Sequence, residues 1–136
     1  MKGLREGLRK SVVLLLTEWM LLILCSAVVF REVRAERLFN VIPFWSYFNY
    51  GQNSYLKEMS AINILNVVMF IPVGLLLGLG FREMTWKKAI MAGAGLSIFI
   101  ELLQLIFKRG LCETDDVIHN VLGCMVGYGI CKLWDK

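Results

Sequence analysis

Apolar positions fall into four long runs along the chain, at 11–30, 62–81, 89–107 and 117–134. Twenty helical residues rise about 30 Å at 1.5 Å each, the thickness of a bilayer's hydrocarbon core. Runs of this length predict membrane-spanning helices, because a helix of a soluble domain buries one stripe and keeps its opposite face polar. The turns at 82–88 and 108–116 are short, so the last three spans are expected to pack as antiparallel neighbours. Residues 31–61 form the only long connection. The predicted fold is an all-α membrane protein, a four-transmembrane-helix bundle occupying residues 1–136 as a single domain.

Charge sets the expected orientation. Lys2, Arg5, Arg9 and Lys10 precede the first run, a start that also suits a signal peptide. That run is longer than the roughly 7–15 apolar residues of such a peptide. It also contains Glu18, is followed by Arg31, Arg34 and Arg37, and has Leu24 before Cys25 where a lipoprotein cleavage site needs a small residue. A retained helix is expected. With the N-terminus inside, Lys2, Arg5, Arg9, Lys10, Arg82, Lys87, Lys88, Lys132 and Lys136 are cytoplasmic. Arg31, Arg34, Arg37, Lys57, Lys108 and Arg109 are then outside. The excess of nine over six places both termini in the cytoplasm.

A 57% hydrophobic and 19% charged composition excludes a disordered tail, a disulfide-stapled module and a basic domain with a nucleic-acid partner. The net charge of +4 is accounted for by topology. Cys25, Cys112, Cys124 and Cys131 contain no Cys-x-x-Cys pair, so no disulfide framework, structural metal or cofactor is expected.

Candidate chemistry comes from polar groups set against the lipid. An ionisable residue within a span costs roughly 2.5–3.5 kcal/mol and therefore faces a partner or a wet cavity. Glu101 and Gln104 share one helix face at i and i+3. Two readings stand: interhelical glue, in which Gln104, Asn63 and Asn66 satisfy one another, or a carboxylate facing a ligand. Glu18 lies nearer the inner side, locally paired or snorkelling, and outside the site. In the second span Pro72 is expected to kink the helix, while Gly74 and Gly78 mark a close-packing face.

The fourth span opens with Glu113, Thr114, Asp115 and Asp116, with Thr114 as expected N-cap and the carboxylates complementing the helix dipole. Arg109 is the expected counter-ion across the short turn. Asp116, Asn120, Gly123 and Gly127 form one stripe, polar at its outer end and small below. Asp115, Asp116 and His119 have a spacing compatible with a metal, although a lone histidine at a helix start is more often a hydrogen-bonding residue.

The long connection carries Phe39, Phe44, Trp45, Tyr47, Phe48, Tyr50 and Tyr55, which suit the headgroup level of a bilayer. It is expected to lie in the outer interface as a lid or rim over Glu101, Arg109 and Asp116.

These residues resemble a family when taken in order. Asn40-x-x-Pro43-Phe44 follows the first span, and Asn66-x-x-x-Phe70-x-Pro72-x-Gly74 lies in the second. Glu101-x-x-Gln104 lies in the third, followed by Arg109-x-x-x-Glu113-x-Asp115-Asp116-x-x-x-Asn120-x-x-Gly123-x-x-x-Gly127. Over about residues 38–130 the pattern resembles the VanZ-like family of small bacterial membrane proteins. The family has an acidic residue, often Asp, where Glu113 stands, and an apolar or variable one at His119.

The resemblance implies a multi-pass protein of the bacterial cytoplasmic membrane. The family's name-giving member is associated with low-level resistance to teicoplanin, a lipid-bearing glycopeptide. Two functions of different class follow. In the first, the cluster binds a membrane lipid, a lipid-linked or anionic envelope precursor, or the lipoglycopeptide at the outer leaflet, without turnover. Arg109 takes the phosphate or carboxylate, while Glu101 and Asp116 orient it. In the second, the cluster is an intramembrane hydrolase or transferase for a phospholipid or polyprenyl carrier, with Glu101 or Asp116 as general base. The sequence weighs against the enzyme: no Ser or Cys has a base at recognisable spacing, and only one histidine exists.

Overall fold

A computed structural model describes residues 2–48 and 54–134. Tyr50 of the aromatic segment and Lys136 of the cation count lie outside the described residues, as do the side chains of Lys2, Arg5, Phe48, Tyr55 and Lys57. Helix α1 (Lys2–Leu24) continues into a π-helical turn at Cys25–Val29. A short strand β1 (Leu38–Asn40) and one turn of helix, α2 (Trp45–Phe48), follow. Then come α3 (Ser54–Gly80), α4 (Trp86–Phe107), strand β2 (Leu111–Glu113) and α5 (Thr114–Trp134).

Among the described residues, four helices are long and apolar enough to cross a membrane: Glu6–Val29, Ala61–Gly80, Trp86–Phe107 and Thr114–Trp134. Leu8 of the first helix and Lys132 of the last line one hollow, so the start of the first helix and the end of the last lie at the same end of the bundle. The first helix begins earlier than its apolar run because Glu6, Leu8, Arg9 and Lys10 are good helix formers, which outweighs Gly7 among them. The earlier start puts Glu18 near the middle of its span, exposed on α1, rather than toward one end.

Helix α5 lies between α3 and α4, and its contact with α3 is the most extensive in the molecule; α1 packs on the other flank of α3. The α3–α5 seam is set by glycines. A methyl group at Gly123 would stand 2.1 Å from the Val67 carbonyl oxygen, and one at Gly127 1.9 Å from that of Ile71. One at Gly74 would meet Cys124 O at 1.9 Å. Small residues at these points let the two backbones touch, the packing mode available to helices with no water to expel. Pro72 sits inside α3, which continues past it to Gly80. Leu16, Ile23, Phe70, Val73, Ile100 and Cys124 make the apolar core.

Each end of the bundle is tied by polar contacts. At the end bearing the termini, Thr85 caps α4 by accepting from Lys88 N at 3.3 Å, and Tyr128 Oη donates to Met84 O at 2.6 Å. At the other end β1 pairs in parallel with β2, Leu38 to Leu111, Phe39 to Cys112 and Asn40 to Glu113. Neither strand was expected from the sequence, since three residues carry too little alternation to register.

Candidate functional site

The polar end of the bundle is built on α5. Its first turn carries Asp115 and Asp116, both buried, and the stripe continues through Asn120 to Gly123 and Gly127. Asp116 Oδ1 accepts from Asn66 Nδ2 at 2.7 Å, joining α5 to α3. Asn120 Nδ2 donates to Ser97 Oγ at 2.8 Å, joining α5 to α4. Glu101 Oε2 accepts from Glu113 N at 2.9 Å, and the Cys112 thiol is a further partner of its carboxylate. The stripe read from the sequence is thus one buried face.

The cation on this cluster is Arg31, not Arg109. Arg31 Nη2 lies 3.9 Å from Asp116 Oδ2, with the guanidinium side chain 29% exposed and the carboxylate side chain 3%. Arg109 Nη1 instead donates to the carbonyl oxygens of Val29 at 2.7 Å and Arg31 at 2.8 Å. The reason lies at the end of α1. A helix's last carbonyls lack intrahelical partners and carry the negative end of its dipole, and a cation there satisfies both. Gln104 joins Arg109 in this role, its Nε2 donating to Ala27 O at 2.9 Å. Gln104 and Asn66 therefore do not satisfy one another as the sequence suggested: Gln104 reaches α1 and Asn66 reaches Asp116.

Arg31 keeps its place because Gly110 leaves room. Gly110 has φ +76°, and a methyl group there would sit 2.7 Å from Arg31 Nη1. Backbone pairing of Arg34 N with Lys108 O at 2.8 Å holds the segment after α1 against the α4–α5 turn.

The aromatic connection does fold over the first turn of α5. Phe44 N donates to Asp115 Oδ1, and Thr114 Oγ1 reaches Asn40 O at 3.4 Å instead of serving as an N-cap. Asn40 Oδ1 accepts from Ile42 N at 3.1 Å, which shapes its own loop, and Pro43 is exposed beside Phe44. Both positions shape the rim. His119 Nδ1 faces the Asp115 carbonyl, an acceptor only, so it carries the proton and Nε2 accepts from Tyr47 Oη at 2.7 Å. Both ring nitrogens are engaged, so His119 has none free for a metal shared with Asp115 and Asp116.

Two groups beside the spans show the field of this cluster. Burial, then the charges of Asp116 and Asp115, push the Glu113 carboxyl up to about 7, against a smaller opposing pull from Arg31. Burial, then the Glu101 carboxylate, push the Cys112 thiol up to about 11. Sequence reasoning named Tyr47 in the aromatic rim but not as the partner of His119, and missed Arg31, Ser97 and Cys112 as members of the cluster. Arg31 is the first cation beyond the first span, and Ser97 sits four residues before Glu101 on the same face, so both had a positional signal.

Four spanning helices, with a buried polar cluster under one end, define a multi-pass membrane protein. The chain belongs to the VanZ/LLP1 family, whose model matches residues 12–135. It is similar to Protein VanZ of Enterococcus faecium, 34% identical over 101 residues that make up 74% of this chain. The chain spans 56% of the length of that curated relative. No solved structure matches it.

Proposed function

We propose that this protein sits in the bacterial cytoplasmic membrane with both termini inside. At the outer leaflet it binds an anionic, lipid-linked envelope component or a lipoglycopeptide, without turning it over. The observation that carries this reading is the half-buried Arg31 guanidinium at the mouth of the cluster. Its 3.9 Å approach to Asp116 is an ion pair too long for a tight hydrogen bond, which leaves planar N–H donors for a phosphate or carboxylate. Asp116 orients that guanidinium from beneath, and Glu101, buried behind it, fixes the adjoining turn through Glu113 N. Exposed Phe39, Val41, Ile42 and Phe44 form the apolar rim that takes an acyl or prenyl chain. Arg109, which the sequence suggested for the anion, serves by holding the end of α1 in place.

Likeness to VanZ supports a link with teicoplanin tolerance. Deletion and complementation test it, with teicoplanin and vancomycin susceptibility read side by side. The wild-type gene is expected to raise tolerance to teicoplanin more than to vancomycin, and Arg31→Gln and Glu101→Gln to lose the gain. A shift for neither drug, or full retention in both variants, refutes the reading.

A further inference from the structure

Beneath Arg31 the helices enclose a small cavity of about 20 Å³. Its polar lining is Arg31, Asn66, Glu101, Gln104, Asp116 and Asn120, and Ile23, Phe70 and Ile100 supply apolar wall. Gln104 and Asn120 are only 2% and 4% exposed, yet Gln104 Oε1 and Asn120 Oδ1 accept no hydrogen bond from the described residues. The Gln104 amide cannot be turned round to remove the problem. Its nitrogen serves the Ala27 carbonyl, which only accepts. A buried acceptor without a partner is costly, and the Gln104 oxygen, whose orientation the Ala27 carbonyl fixes, calls for an occupant; the Asn120 amide, bonded to a hydroxyl that can give or take, can present its oxygen to the same occupant.

The occupant's chemistry follows from what faces it. Asp116 Oδ1 accepts from Asn66 and its Oδ2 faces Arg31 at 3.9 Å, while Glu101 Oε2 accepts from Glu113 N and its carboxylate also meets the Cys112 thiol; since each carboxylate oxygen has two lone pairs, both groups keep acceptor capacity. The lining is therefore rich in oxygen acceptors: two carboxylates and two amide carbonyls. Arg31 offsets one of the two negative charges. A single water would satisfy the amides and leave the charge. A single proton on one carboxyl would settle the charge and reach only one amide. A monovalent cation does both as one group, where otherwise a carboxyl proton and a water must act together. The volume admits one water-sized group without a hydration shell, which disfavours magnesium, an ion that sheds its water reluctantly.

We propose that this cavity is a sodium-ion site, with Gln104 Oε1, Asn120 Oδ1 and the carboxylates of Glu101 and Asp116 as ligands. It stands on the lining alone and is independent of which lipid or drug meets Arg31 at the mouth.

The test is thermal unfolding of the purified full chain in detergent micelles, with choline chloride replaced by NaCl, KCl or MgCl₂ at constant ionic strength and pH. Sodium is expected to raise the midpoint from a threshold concentration upward, without a plateau. Each further tenfold rise in sodium should add the same increment, with potassium and magnesium weaker. Gln104→Ala and Asn120→Ala should each need at least tenfold more sodium for an equal shift. The wild-type salt series stands by itself if either variant fails to fold. Equal midpoints in sodium and choline overturn the proposal and assign the cavity to water. A midpoint that responds to acidification but not to sodium overturns it in favour of a bound proton. Failure here would leave the headgroup reading untouched, and a null drug phenotype would leave the sodium series untouched.

Discussion

Replacing Gly127 by alanine tests the seam on which the site is built. The added methyl would stand 1.9 Å from Ile71 O and 2.8 Å from Leu75 N, both backbone atoms that no side-chain rotation can clear. Carbon and oxygen come no closer than about 3.3 Å, so α5 must retreat from α3 by roughly 1.4 Å. Carried rigidly along α5, that retreat stretches the Asn66–Asp116 hydrogen bond from 2.7 Å to about 4 Å, which breaks it. Overpacking costs about 1–3 kcal/mol, and a buried carboxylate losing its partner costs a further 1–3 kcal/mol. Together these take a large share of a typical stability of 5–15 kcal/mol. The assay is unfolding of the purified protein in mixed micelles, followed by helical circular dichroism as SDS is added. Gly95→Ala is the control, since nothing lies within 4 Å of a methyl there, and it should change stability by about 1 kcal/mol or less. Equal stability of the two variants would refute the close-contact account of the α3–α5 seam.

Four further outcomes follow. Gly110→Ala combines a left-handed backbone, costing about 1–2 kcal/mol, with a clash against Arg31. It should lower the unfolding midpoint and reproduce the loss of drug tolerance expected of Arg31→Gln; unchanged tolerance would contradict the role given to Gly110. The folded protein holds a proton on Glu113 between pH 4.5 and 7, where the unfolded chain releases it. Stability from this group is therefore full below 4.5 and is lost as pH rises through 7. Glu113→Gln should flatten that fall in midpoint between pH 5 and 8, and an unaltered slope would remove Glu113 as its source. A thiol pushed from 9.0 to about 11 has about a hundredfold less thiolate, so Cys112 should react slowly with an impermeant maleimide. Glu36→Cys, at an exposed position, should label fast in intact cells if this end faces outward, and only after permeabilisation if it faces the cytoplasm.

Much of this was legible in the sequence because lipid leaves little choice. Twenty apolar residues in a row have one stable spanning form, and a 3.6-residue stripe such as Asp116–Asn120–Gly123–Gly127 must face a neighbour. Helix ends and cation partners were less legible. Whether Arg31 or Arg109 meets Asp116 depends on where α1 stops and on the β1–β2 pairing. A three-residue strand and a π-helical turn leave no periodic trace. Charge balance alone could not show that Arg109 is spent on the carbonyls of Val29 and Arg31.

The most direct test of the central claim is binding of a fluorescent polyprenyl phosphate to the full chain in nanodiscs, wild type against Arg31→Gln. Losing charge-assisted hydrogen bonds worth about 1.5–3 kcal/mol should raise the Kd about ten- to hundredfold. Equal affinity for the two proteins would show that Arg31 does not hold an anionic headgroup.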